Sequence, residues 1–175
     1  MPVSPSDMSS NSPVTPDAAI AALRESLVFG YEHDRRRRRF IFISEFPLRP
    51  RGGDRAFLAL VFRQVASFKR LVGTRAEDQR FVARYGLDER GRPKVVQSVT
   101  LRDTPAHRHI ELWLGPEFGG VEFEFASADA MIREARVEER SGEFVYHDLA
   151  SDEIFDCFAP FPDLLGRPSN GKRRS

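Results

Sequence analysis

The first residues suited to chemistry are a pair of histidines. His107 and His109 flank Arg108, and a spacing of two places both imidazole rings on one face of a β-strand. Neutral imidazole is the commonest metal ligand in proteins, so the pair is a candidate metal site. Two ligands do not complete such a site. The competing interpretation is therefore an exposed stripe on a solvated strand, and a metal-dependent enzyme at His107 and His109 is the third hypothesis for function.

Five consecutive arginines form the second candidate site. They are Arg35, Arg36, Arg37, Arg38 and Arg39. Guanidinium groups contact phosphates, and each contact adds salt-dependent affinity. Together with the basic segment 166–175, the run predicts nucleic-acid binding as the alternative function. The formal net charge of +1 instead favours a hairpin tip whose arginines protect a strand edge.

The sequence offers little for covalent catalysis. Cys157 is the single cysteine, so an intrachain disulfide is impossible. It lies in the apolar segment Phe155–Phe158 without a cationic neighbour, which is typical of a buried structural thiol rather than a nucleophile. The motifs Gly-x-Ser-x-Gly, Gly-x-x-x-x-Gly-Lys-Ser/Thr and Gly-x-Gly-x-x-Gly do not occur. We therefore expect no catalytic residue and no cofactor, and a function without catalysis.

Acidic residues concentrate in the second half of the chain. Residues 111–163 contain 14 Asp and Glu against three Arg, whereas residues 1–110 contain 20 Lys and Arg against 12 acids. Strict alternation over 121–125 places two glutamates on the outer side of a half-buried strand, and the preceding strand has the same pattern. The candidate partner-binding residues are therefore Glu111, Trp113, Glu122 and Glu124. The alternative is that basic and acidic strands lie side by side and neutralise each other.

The elements that position these residues are mostly strands. Period-two patterns and short connections predict an α+β fold that is predominantly an antiparallel β-sheet, either a sandwich or a curved sheet, with two or three short helices. Thr15, Pro16 and Asp17 predict a helix start. A capping box at Thr74–Glu77 predicts a second helix over 75–85, and Ser127 predicts the cap of a short helix through Ile132. A hairpin is expected around Ser141 and Gly142.

The length of 175 residues fits one domain. Residues 1–14, rich in serine and proline, predict a disordered tail; residues 15–165 predict a single globular domain, and residues 166–175 a basic C-terminal tail. No apolar stretch is long enough to span a membrane, and the N-terminus has no signal-peptide core. We therefore expect a cytoplasmic protein without a membrane partner.

Three segments resemble small bacterial immunity-type and uncharacterised β-rich domains. The first is the apolar strand and its continuation over Phe57–Leu71, and the others are Ile110–Gly115 and Val121–Phe125, which resemble the hairpin that follows. The resemblance implies a non-enzymatic protein that binds and blocks a toxin. A basic partner suits the acidic half, because electrostatic complementarity accelerates capture. The leading hypothesis is therefore a protein-binding module that uses an acidic sheet face.

Overall fold

Antiparallel strands dominate the computed structural model, which describes residues 14–46, 52–73, 82–84 and 94–165. The predicted tails, apart from Val14 at the end of the first, lie outside these ranges. In chain order the elements are α1 Pro16–Ala21, β1 Val28–Asp34, β2 Arg39–Glu45, β3 Arg55–Arg63, β4 Ala66–Val72, β5 Val82–Arg84, β6 Ser98–Asp103, β7 Arg108–Trp113, β8 Gly119–Phe125, β9 Ser127–Arg140, β10 Glu143–Asp148, β11 Ile154–Phe155 and α2 Pro162–Leu165. The α+β class with a mostly antiparallel sheet is confirmed.

The strands form two sheets. The larger has seven strands in the order β11-β10-β9-β3-β2-β1-β5, and the smaller has four in the order β4-β8-β7-β6. Every pairing between these strands is antiparallel. The hairpin predicted at Ser141 and Gly142 is confirmed as the β9–β10 connection.

Apolar side chains hold the two sheets together. Phe40 and Phe62 of the large sheet meet Phe123 of the small sheet, with ring centroids 4.9 and 5.1 Å from that of Phe123. Ile20 of helix α1 and Leu23, in the turn that follows the helix, belong to the same core. Thr15 begins α1 as expected, because its hydroxyl accepts a hydrogen bond from the Ala18 N–H.

The large sheet curls around a second core. Phe57 on β3 contacts Phe155 on β11 at 5.7 Å between ring centroids, although β9 and β10 lie between their strands. Leu165 of α2 covers the same apolar interior. At one end of the curl, the Arg133 guanidinium lies 3.9 Å from the Phe155 ring centroid and pairs with Asp148. The central strands β2 and β3 are therefore buried on both faces.

Two helix predictions are wrong. Ser127–Ile132 belongs to the 14-residue strand β9, which pairs with β3 along nine positions. Its alternate residues Ala128 and Ala130 pack on the core, so pairing with a central strand overrides the local cap signal. Val82–Arg84 is strand β5, paired with β1, instead of the end of the helix predicted over 75–85. Residues 74–81 and 85 lie outside the described ranges.

Candidate functional site

The outer side of the small sheet carries the predicted partner-binding residues. We call it the acidic face and define it by Glu111 and Trp113 of β7 and Glu122 and Glu124 of β8. Its neighbours on β7 and β8, Ile110, Leu112, Val121 and Phe123, point into the core, because successive strand residues alternate between faces. The structure thus brings the four candidates to one surface, together with both histidines of the candidate metal site.

The centre of the acidic face violates a pairing rule. Glu111 lies directly opposite Glu122 in the β7–β8 register. Like charges at such positions repel and destabilise the sheet. Glu122 has compensation, since Lys69 Nζ lies 3.4 Å from its Oε1 and His109 Nε2 lies 3.7 Å from its Oε2. Glu111 has no ion pair or hydrogen bond from a side chain within the described residues.

Trp113 extends this surface beyond the glutamates. Its cross-strand neighbours are Ser98 on β6 and Gly120 on β8. Position 120 requires glycine, because the backbone of the paired strand β7 leaves no space for a side chain. A Cβ there would lie 2.0 Å from the Leu112 carbonyl oxygen. The half-buried indole therefore stands between two small residues, without a large side chain at either directly paired position.

The candidate metal ligands face carboxylates across the sheet. His107 Nε2 lies 2.9 Å from Glu124 Oε1, and His109 faces Glu122. Glu124 also accepts a hydrogen bond from the Ser67 hydroxyl at 3.2 Å. Over the described ranges, no group of three or more His, Cys, Asp or Glu side chains is placed to hold a metal ion. The pair gains no third ligand there.

The arginine run lies elsewhere, at the end of the large sheet. Arg35–Arg38 form the turn between β1 and β2, and Arg39 begins β2. The hairpin-tip position expected from the sequence is therefore confirmed. The turn contacts the β3–β4 corner, since the Val65 N–H donates to the Arg38 carbonyl at 2.8 Å. The arginine run and the acidic face therefore belong to different sheets.

Charges from the two halves of the chain meet in part. Arg63 Nε lies 2.7 Å from Asp129 Oδ2, and Lys69 pairs with Glu122. Sequence reasoning missed Lys69 and the opposition of Glu111 and Glu122, because both depend on register. The only sequence signal for these contacts was the strict alternation over 121–125. Alternation predicts on which face of the strand a residue lies, but it does not predict which residue lies opposite.

Cys157 packs beside the curl of the large sheet. Burial first, and then the neighbouring Asp156 carboxylate, raise the pKa of its thiol above the usual value of 9.0. A thiol is reactive as its thiolate, so a raised pKa suppresses reaction near neutral pH. This supports the structural role expected from the sequence, although Cys157 is only half-buried.

We predict slow alkylation of Cys157. At pH 8, iodoacetamide should modify the folded protein more slowly than the denatured protein, because burial of the thiol disfavours its thiolate. Mass spectrometry over time measures both rates. The folded rate should keep rising above about pH 10, where the thiol of the denatured protein has levelled off because its pKa is close to 9.0. Equal rates in the folded and denatured states would contradict the raised pKa.

Comparison of the chain with protein-family models, curated proteins and solved structures finds no match. Within the described ranges, no helix has the length and apolar character needed to cross a membrane.

Proposed function

We propose that this protein is a non-enzymatic binding module whose acidic face captures a basic surface of another protein. The observation that supports this proposal is the opposition of Glu111 and Glu122 at the centre of the face. A like-charged pair costs stability in the free protein. Lys69 and His109 lie beside Glu122 and offset part of that cost. A cationic side chain from a partner beside Glu111 removes the part that remains.

Trp113 supplies the second half of the recognition. Tryptophan is enriched among the residues that dominate binding energy, and its ring also attracts Lys and Arg. It lies two residues from Glu111 on β7, and therefore on the same side of the strand. A Lys or Arg of the partner can contact the indole and the Glu111 carboxylate together. An immunity-type inhibitor of a basic toxin is the specific form of this proposal.

The test compares single substitutions at the centre of the face. Proteins captured from native lysate by the wild type are identified, purified and titrated against Trp113→Ala and Glu111→Lys. Loss of a Trp anchor typically costs about 2 kcal/mol or more, so Trp113→Ala should weaken binding roughly thirtyfold. Glu111→Lys should slow association and reduce its dependence on salt.

Matched controls lie on the β9–β10 hairpin. Phe144 is 65% exposed, and Glu143 begins β10 beside it, outside the acidic face. Phe144→Ala and Glu143→Lys should leave the affinity unchanged. A captured protein that binds Trp113→Ala and Glu111→Lys as tightly as the wild type would overturn the proposal, and so would a partner without a basic surface.

A further inference from the structure

The β1–β2 turn presents its arginines on a constrained backbone. Arg35–Arg38 are exposed. Asp34 holds the base of the turn, because its Oδ1 accepts a hydrogen bond from the Arg37 N–H at 3.1 Å and its Oδ2 lies 3.5 Å from Arg39 Nε. The Arg37 N–H bond is the largest effect and lowers the pKa of Asp34; burial opposes it, and the charges of Arg39 and Arg37 then lower the pKa further. The Asp34 carboxylate thus binds both the backbone of the turn and the side chain of Arg39.

Arg38 occupies a conformation that its side chain disfavours. Its φ is +50°, in the left-handed region where glycine is the least costly residue. The hydrogen bond from the Val65 N–H to the Arg38 carbonyl keeps it there. Gln64 and Ser67 in the adjoining corner also have positive φ, at +54° and +51°. Arginine gains no stability from this backbone conformation, which costs free energy for residues other than glycine. A function of the guanidinium group would explain why arginine occupies the position.

The end of β2 repeats the like-charge pattern with the opposite sign. Arg39 lies directly opposite Arg63 in the β2–β3 register. Cross-strand cations repel, as cross-strand carboxylates do. Each has a carboxylate on its other side, Asp34 for Arg39 and Asp129 for Arg63. These two carboxylates balance Arg39 and Arg63, so the positive charge at this end of the sheet comes from the four exposed arginines of the turn.

We infer that the turn Arg35–Arg38, with Arg39 and Arg63 beside it, is a binding site for the phosphodiester backbone of a nucleic acid. Arginine and glutamine contact phosphate and sugar oxygens in such complexes, and the exposed Gln64 lies at the same corner. A membrane surface fits less well, because basic membrane sites pair with apolar insertion. The described residues of the turn and of the corner Arg63–Ser67 include no exposed large apolar side chain.

The test measures binding of the full chain to a fluorescent 20-nucleotide single-stranded RNA and to a DNA duplex, between 50 and 200 mM salt. Arg36→Gln/Arg37→Gln should reduce the slope of log affinity against log salt by about two for duplex DNA and slightly less for RNA. The affinity of this double variant for either nucleic acid should fall at least tenfold at 50 mM salt. The control Arg136→Gln/Arg140→Gln removes the same charge from β9, far from the turn, and should bind almost as the wild type does.

The substitution Arg38→Gly distinguishes a contribution of the Arg38 side chain to binding from a contribution to the stability of the fold. It relieves the left-handed backbone, so the melting temperature should stay equal or rise while nucleic-acid affinity falls severalfold. Ser141→Gly makes the same change at φ +52° in the β9–β10 turn and should leave affinity unchanged. Three results would overturn the inference. They are no binding at 50 mM salt, equal losses in both arginine double variants, and tighter binding to phosphatidylserine vesicles than to either nucleic acid.

Discussion

Phe123→Ala is expected to lower the free energy of unfolding by about 3–5 kcal/mol, the usual range for truncating a fully buried phenylalanine. Phe123 is fully buried on β8. Its ring centroid lies 4.9 Å from Phe40, 5.1 Å from Phe62 and 5.8 Å from Phe68. These partners lie on β2, β3 and β4, so the substitution opens a cavity between the two sheets.

Denaturant unfolding followed by circular dichroism measures this effect. Phe144→Ala serves as the control, since Phe144 is 65% exposed and its removal should change stability by less than about 0.5 kcal/mol. The slope of the free energy against denaturant should stay constant in both variants. Similar losses for Phe123→Ala and Phe144→Ala would show that the sandwich core does not stabilise the fold as described.

Much of this architecture could be predicted from the periodicity of apolar residues in the sequence. The alternation over 121–125 correctly places Phe123 inside and Glu122 outside, because one face of β8 meets a core and the other does not. The cap of α1 was equally local, since Thr15 needs only the N–H of Ala18. Features that depend on neighbouring residues, or on one buried face, could therefore be predicted from the sequence.

Features that depend on distant partners could not be predicted. The cap signal at Ser127 is real as a local pattern, but pairing of β9 with the buried strand β3 determines its structure. Val82–Arg84 likewise forms a strand beside β1 instead of the end of a helix. For β9, long-range hydrogen bonding and burial outweigh a local preference, and for β5 the observed structure is its pairing with β1.

The candidate sites show the same division. The face of each acidic residue followed from its position in an alternating strand, and the turn position of the arginine run followed from its flanking strands. The opposition of Glu111 with Glu122, and of Arg39 with Arg63, required the register. Both sites thus combine a local sequence signal with a repulsion that only the assembled sheet creates. The acidic face is anionic and the β1–β2 turn is cationic. Substitutions can therefore abolish the charge of either site and leave the other unchanged.

Gly120→Ala should have the second large effect, and it should reach the acidic face directly. A Cβ at this position would lie 2.0 Å from the Leu112 carbonyl oxygen and 3.0 Å from the Trp113 Cα. Both contacts are with the backbone of the paired strand, so a side-chain rotation does not relieve them. The β7–β8 ladder must separate locally, at an expected cost of about 3 kcal/mol or more.

Gly142→Ala distinguishes steric exclusion from backbone conformation. Gly142 has a φ of +81° and open space around it, so alanine there should cost only about 1–2 kcal/mol. Trp113 is the single tryptophan of the chain, and its emission therefore reports on the acidic face. Gly120→Ala should shift that emission and weaken partner binding, whereas Gly142→Ala should change neither. If Gly120→Ala kept wild-type stability and emission, the close approach of β7 and β8 would be wrong, and with it the register that opposes Glu111 to Glu122.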